Sequence, residues 1–142
     1  MAYDSAKWHP EGKYPKDFPL ENSGTHIGMF LAWVIMNGFE GVELKEDNPD
    51  AIPAVRARKM TGREFLFRNC DSKLSDVDLN EEANAFAKYY YSSPEFRYLD
   101  DYHQTLAENL PSNYHVDDSW ENFDRVAKVI TQRFNEWRQQ KH

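Results

Sequence analysis

Residues 23–38 read SGTHIGMFLAWVIMNG and form the most apolar stretch of an otherwise polar chain. Apolar side chains occupy position 27 and every position from 29 to 36. A helix that is apolar on all sides must be covered on all sides, whereas spanning a bilayer takes about 20 apolar residues. The run therefore predicts a buried central helix over about residues 25–37. Ser23 or Thr25 is expected to cap its start, and Asn37-Gly38 to end it.

Size and composition favour one domain over residues 1–142, because a chain of this length suits a single hydrophobic core. The mean hydropathy of −0.85 and the charged fraction of 29% are typical of a soluble protein. Cys70 is the only cysteine, so no internal disulfide is expected, which suits the reducing cytoplasm. The polar, proline-rich start of the chain predicts neither a signal peptide nor a membrane anchor.

The net charge of −7 is unevenly distributed along the chain. Residues 71–124 carry a net charge of −10, and residues 125–142 carry +4. A negative field of this size repels nucleic acid and raises the association rate of basic partners. The alternative is a solvated face that only keeps the protein in solution.

Residues 1–22 are predicted to form an extended arm that lies on a helical body at residues 23–142. Prolines at positions 10, 15 and 19 forbid a long helix here. The arm also holds too many aromatic rings for a free tail, namely Tyr3, Trp8, Tyr14 and Phe18.

The helical body reads as a bundle of five or six helices, and no run of strand-like alternation is evident, so the predicted fold class is all-α. The last helix has the clearest apolar stripe, which includes Phe134 and Trp137. Helix starts are predicted at the capping-box pairs Thr61/Glu64 and Asp118/Glu121, at the cap Asn80, and at Pro94.

Candidate chemistry is concentrated where the arm meets the central helix. The chain has no phosphate-binding loop, no His-Glu-x-x-His motif and no cysteine pair. Asp4, His9 and His26 can converge as metal ligands or acid–base groups, with Trp8 and Trp33 as walls of the pocket. That arrangement would suit a small hydrolase or another metal-dependent enzyme. The alternative is structural, with His26 hydrogen-bonded to backbone so that it fixes the arm on the helix.

The acidic, tyrosine-bearing middle of the chain is a candidate docking surface, because aromatic side chains anchor interfaces and acids attract basic partners. Adjacent acids on a helix point about 100° apart, so these carboxylates are poor joint metal ligands. The predicted partner-binding residues are Asp76, Asp78, Glu81, Glu82, Tyr91, Asp100, Asp101, Asp117 and Asp118.

The first 40 residues or so resemble a family of small, uncharacterised bacterial proteins. The resemblance is carried by Tyr3-Asp4, by the AKWH run at residues 6–9, by Gly12, Pro15 and Pro19, and by THIGMFLAW at residues 25–33. Members of that family resemble immunity proteins of polymorphic toxin systems, such as contact-dependent or type VI secretion. The resemblance implies a non-enzymatic cytoplasmic protein that neutralises a cognate toxin, and it supplies no catalytic residue or cofactor.

Three functional hypotheses follow. The main one is an immunity protein that binds its toxin through the acidic surface; if the toxin is a nuclease, negative charge would mimic nucleic acid. The second is an enzyme with its site at the arm–helix junction. The third is a homo-oligomer that uses an exposed stripe of Phe134 and Trp137 on the last helix.

Overall fold

The apolar run forms helix α1, Thr25–Met36, and every residue of α1 except Met36 is buried. The structure is a computed structural model that describes residues 1–140. The predicted end of α1 is confirmed, because the Asn37 N–H bonds back to the carbonyl of Trp33 and Gly38 adopts a φ of +72°. The predicted caps at its start are wrong. The Ser23 hydroxyl donates to the Leu20 carbonyl instead, and the Thr25 hydroxyl accepts from Arg63.

Helix accounts for 63% of the structure, which confirms a mostly helical fold. None of the helices within residues 1–140 is both long and apolar enough to cross a membrane. After α1 the α-helices are α2, Val42–Asp47; α3, Ala51–Arg56; α4, Gly62–Asn69; α5, Glu81–Tyr90; α6, Arg97–Tyr102; and α7, Trp120–Gln140.

A small antiparallel sheet shows that the strictly all-α prediction is wrong. Strand β1, Ala2–Ser5, pairs with strand β2, Lys73–Ser75, so the first part of the predicted extended arm is a strand. In this register Asp4 lies opposite Leu74. Strands this short show no alternation in sequence, and their partners lie about 70 residues apart, so nothing local predicts the pairing. The sheet fastens the start of the arm to the segment after α4.

The closest approach between helices is that of α1 and α4, and two glycines permit it. A Cβ atom on Gly62 would lie 1.8 Å from the carbonyl oxygen of Gly28, and one on Gly28 would lie 2.3 Å from the amide nitrogen of Arg63. Any side chain at either position would therefore force the two backbones apart. The close crossing holds α4 against the buried central helix.

Other predicted helix starts have mixed outcomes. Thr61 caps α4 in a reciprocal capping box, and Asn80 caps α5, both as predicted. The predicted helix start at Pro94 is wrong: the backbone of Phe96 is in the left-handed region, with a φ of 52°, and α6 begins only after it. The cap at Asp118 is also wrong: the Ser119 hydroxyl accepts the Asn122 N–H.

The last helix, α7, packs its apolar stripe inside the molecule. Phe134 is buried, and Trp137 is half-buried with its ring 5.5 Å from that of Phe86. The homo-oligomer hypothesis required these two rings to be exposed. The structure therefore removes its basis.

Candidate functional site

A buried polar cluster lies where the arm crosses the start of α1. Strand β1 carries Asp4 into the interior, and the short 3-10 turn at residues 9–11 brings His9 beside it. His26 is in the first turn of α1 and is buried. Two tyrosine hydroxyls complete the group, which we call the Asp4 cluster: Asp4, His9, His26, Tyr91 and Tyr114.

The Asp4 carboxylate has four hydrogen-bond partners. Its Oδ1 accepts the Ser5 N–H at 2.8 Å and lies 2.8 Å from Nε2 of His9. Its Oδ2 lies 3.1 Å from Nε2 of His26 and accepts the Tyr91 hydroxyl at 2.6 Å. Four partners match the acceptor capacity of an ionised carboxylate. The geometry therefore favours Asp4 as a buried anion whose charge is shared among these donors.

The hydrogen bonds also assign the tautomers of the two imidazoles. If each Nε2 donates to Asp4, the remaining nitrogen of His9, Nδ1, accepts the Tyr114 hydroxyl at 2.7 Å. The His9 and His26 rings meet edge to face, with centroids 4.7 Å apart. The alternative that His26 bonds to backbone through its ring is wrong, since its partner is the Asp4 carboxylate. Its predicted effect, fixing the arm on α1, agrees with this contact.

Burial and hydrogen bonding set the protonation states. Burial alone would raise the pKa of Asp4, but the hydrogen bonds from His26 and His9 outweigh it and hold that pKa well below the usual value. Burial lowers the pKa of His26, against the opposing effect of Asp4. Burial and the Asp4 charge raise the pKa of Tyr91 well above its usual value. At neutral pH Asp4 is thus an anion beside the neutral rings of His26 and Tyr91.

We expect stability to fall as the pH drops from about 7 to about 5, and His26→Gln to flatten this slope. Unfolded His26 binds a proton near its ordinary pKa of 6.5, whereas folded His26 has a lowered pKa and stays neutral, so acid favours the unfolded chain. One such group contributes at most about 1.4 kcal/mol per pH unit. Asp4, whose pKa is also lowered, extends the loss below about pH 4.

The measurement is urea denaturation across this pH range in chelator-treated buffer, with His103→Gln as the matched control. His103 is exposed, so its variant should keep the wild-type slope. An unchanged slope in His26→Gln would contradict the assignment of His26 as a neutral buried ring.

A cavity of about 150 Å³ borders the cluster and is lined by His9, His26, Leu99, Asn113 and Tyr114. At roughly 30 Å³ per molecule this space holds a few waters. Only two of the predicted pocket's residues, His9 and His26, line it.

The two predicted tryptophan walls lie elsewhere. Trp8 is half-exposed at the surface. Trp33 is on the same face of α1 as His26 but two helical turns further on, which is about 10 Å along the axis. Its indole N–H donates to Thr131, and its ring packs against Phe39, Phe86 and Phe134. Neither tryptophan therefore forms a wall of this cavity.

A larger cleft of about 810 Å³ runs along the outer side of the arm. Lys7, Leu20, Arg63, Phe67 and Arg68 are among its lining residues, and none of the Asp4 cluster is. Size alone would select this cleft as a binding site. The titratable cluster opens instead onto the smaller cavity.

The structure places four of the nine predicted partner-binding residues in internal contacts, so for these four the prediction of an exposed docking residue is wrong. Asp78 and Tyr91 are buried, and Asp78 accepts the Ser75 N–H. Asp101 is buried, accepts the Tyr90 hydroxyl and forms a two-pronged ion pair with Arg133. The side chain of Asp118, 10% exposed, accepts the Thr61 hydroxyl.

The other five predicted acids remain accessible but do not share one face of one helix. Asp76 pairs with the amino terminus, and Glu82 lies 3.7 Å from Arg138. Glu81, Asp100 and Asp117 are exposed and belong to α5, α6 and the segment before α7. The broad acidic face predicted from sequence is therefore reduced to separate groups.

Three exposed apolar side chains lie on chain segments that also carry acidic residues. Met1, Val42 and Val77 are 87%, 71% and 58% exposed. The Gly41 N–H bonds to the Asp78 carbonyl at 2.9 Å, and the Asp76 N–H bonds to the Met1 carbonyl at 3.0 Å, so three chain segments meet here. We call this surface the Val42–Val77 patch; it consists of Met1, Val42, Glu43, Asp76, Val77 and Glu81.

An antiparallel bridge between Glu40 and Leu79 brings the start of α2 beside the 3-10 turn at residues 76–78. Gly41 is required between them, because a Cβ atom there would lie 2.4 Å from the Val77 carbonyl oxygen. Sequence reasoning missed this patch, since its valines are isolated in sequence among charged residues.

Tyr91 and Tyr114 are the cluster residues that sequence reasoning did not place there. Three consecutive tyrosines at positions 89–91 indicated only that at least one is exposed or packs against a neighbouring ring. Tyr114 carried no signal, because it lies in a short turn between helices.

Comparison with known proteins places the chain in a family whose function is unknown. Residues 2–116 match a family described as a domain of unknown function, DUF7832. No curated protein and no solved structure matches the chain. The match spans the Asp4 cluster, the Val42–Val77 patch apart from Met1, and six of the α-helices. The chain therefore belongs to the DUF7832 family.

Proposed function

We propose that this protein is a non-enzymatic immunity protein that binds and neutralises a cognate bacterial toxin, and that the Val42–Val77 patch is its contact surface. The observation that carries the proposal is the exposure of Val42 and Val77 on two adjoining chain segments that also carry acidic residues. The resemblance of the N-terminal motif to proteins similar to immunity proteins supports the same role.

The patch has the composition of a small interface centre. Isolated apolar side chains on a surface are ordinary, but Met1, Val42 and Val77 are exposed on segments that the Gly41–Asp78 and Met1–Asp76 backbone hydrogen bonds bring together. An apolar centre with a charged rim is the usual anatomy of a protein–protein interface. Burying two valines on binding contributes roughly 1.5–3 kcal/mol each.

The negative charge near the patch indicates what kind of partner it would bind. Glu43 and Glu81 are exposed, and the patch lies at the edge of the segment whose net charge is −10. Such a surface attracts a basic protein and accelerates its association. A toxin with a basic active-site cleft, such as a nuclease, fits this description.

We expect the double substitution Val42→Lys and Val77→Lys to weaken toxin binding about 100-fold or more, because it removes both apolar anchors and offsets most of the local negative charge. The candidate toxin is the product of the adjacent gene, tested first by pull-down and by protection from killing on co-expression. Affinity is then measured by calorimetry and the association rate by surface plasmon resonance, each at two salt concentrations, and higher salt should slow association of the wild type.

Leu20→Lys is the matched control, since Leu20 is 65% exposed but lies on the arm's outer cleft. It should bind as the wild type does. Equal affinity in the double variant would move the interface elsewhere on the molecule. Absence of both binding and protection with the neighbouring gene product would count against the immunity role.

A further inference from the structure

The donor atoms of the Asp4 cluster form a ligand set as well as a hydrogen-bond network. One carboxylate oxygen of Asp4 and one nitrogen each of His9 and His26 all lie within 4.8 Å of one another. Two imidazoles and one carboxylate are typical ligands of first-row transition metals. Among residues 1–140, these three are the only group of three or more histidine, cysteine, aspartate or glutamate side chains whose ligand atoms lie this close together.

We propose that Asp4, His9 and His26 bind one divalent transition-metal ion. The inference is independent of the immunity role, because the Val42–Val77 patch and the Asp4 cluster have no residue in common.

The spacing suits a metal with a small adjustment. With metal–ligand bonds of about 2.1 Å, ligand atoms lie roughly 3–4 Å apart around the ion. His9 Nε2 lies 2.8 Å from Oδ1 of Asp4, and His26 Nε2 lies 3.1 Å from Oδ2. The widest separation between the three ligand atoms is at most 4.8 Å, so it has to shorten by about 1–2 Å. His9 is on a short turn of the arm, so the arm can supply this movement without disturbing α1.

The protons of the two imidazoles can be placed for both the metal-free and the metal-bound cluster. A neutral imidazole that binds a metal through Nε2 carries its proton on Nδ1, so metal binding moves one proton within each ring. The Nδ1–H of His9 then donates to the Tyr114 oxygen, which lies 2.7 Å away. Tyr91 continues to donate to Asp4 Oδ2. Outer partners of this kind orient metal ligands and strengthen binding.

Three protein ligands would leave at least one coordination position for water. A cavity of about 150 Å³ lies beside His9, His26 and Tyr114. Structural zinc sites have four protein ligands, so a three-ligand site would differ from them in having an open position.

The test uses the full-length protein, stripped of metal with a chelator and then titrated with Zn²⁺ by calorimetry and with Co²⁺ by visible absorption. We expect one ion per chain and Co²⁺ bands in the visible range that report nitrogen and oxygen ligands. His9→Gln should weaken binding at least about 100-fold. Because His9 is at the edge of the cluster, with 18% of its side chain exposed, this variant should still fold.

Asp4→Asn gives a second, nearly isosteric test, and it should also weaken binding because the anionic ligand is lost. His103→Gln is the control for surface histidines and should bind as the wild type does. Stoichiometric binding that both cluster variants lose would establish the site. Absence of Zn²⁺ and Co²⁺ binding by the stripped wild type, or equal affinity in His9→Gln, would overturn it.

Discussion

Replacing Gly62 with alanine is expected to destabilise the protein by about 3 kcal/mol, at the upper end of ordinary overpacking effects. The new methyl carbon would lie 1.8 Å from the Gly28 carbonyl oxygen and 2.6 Å from its carbon. These are backbone atoms of a helix that is buried on all sides, so they cannot rotate away as a side chain would. The clash is relieved only if α4 separates from α1, which opens the core around Phe65 and Leu66.

The free energy of unfolding, measured by urea denaturation with circular dichroism, provides the test. Gly28→Ala should behave similarly, since its added carbon would lie 2.3 Å from the Arg63 amide nitrogen. Gly12→Ala is the matched control, because the nearest heavy atom to its Cβ would be 3.8 Å away. A loss below about 0.5 kcal/mol in Gly62→Ala would show that the α1–α4 crossing is looser than described.

The fold was predictable where local sequence decides structure. Continuous apolarity over residues 27–36 required burial, and the Thr61/Glu64 spacing specified a reciprocal cap, so both predictions are confirmed. The sheet was not predictable, because its register depends on contacts between β1 and β2 across about 70 residues. Helix starts failed where a nearby partner competes, as when Thr61 and Arg63 bind the Asp118 carboxylate.

The candidate site was predictable only in part, because some of its contacts join residues far apart in the sequence. The sequence indicated that Asp4, His9 and His26 can converge where the arm meets the central helix, and these three residues do meet. The acidic surface was overestimated, because sequence shows charge but not its partner. Arg133 lies 32 positions from Asp101, and only the folded α6–α7 contact pairs them. Burial of Tyr91 likewise depends on Asp4, which is 87 positions away.

Asp4→Ala is expected to cost about 3–5 kcal/mol of stability, comparable to the removal of one partner from a buried charged network. The substitution removes the acceptor for three side-chain donors, of which those on His26 and Tyr91 are buried and that on His9 is part-buried. Each unpaired buried donor costs about 1–3 kcal/mol. Since these bonds join the arm to α1 and to Tyr91 at the end of α5, the arm should loosen first.

Two measurements separate local from global loss. Urea denaturation gives the total change, and limited trypsin digestion under native conditions reports on the arm through cleavage after Lys7, Lys13 and Lys16. Faster cleavage there, before any in α4 or α5, indicates release of the arm from α1. Glu11→Ala is the control, because Glu11 is an exposed acid of the same arm and should change neither value. Wild-type stability and wild-type cleavage in Asp4→Ala would mean that the β1–β2 pairing and the aromatic contacts hold the arm without the cluster. In that case a metal, rather than structure, would be the better explanation for why a carboxylate and two imidazoles are buried together.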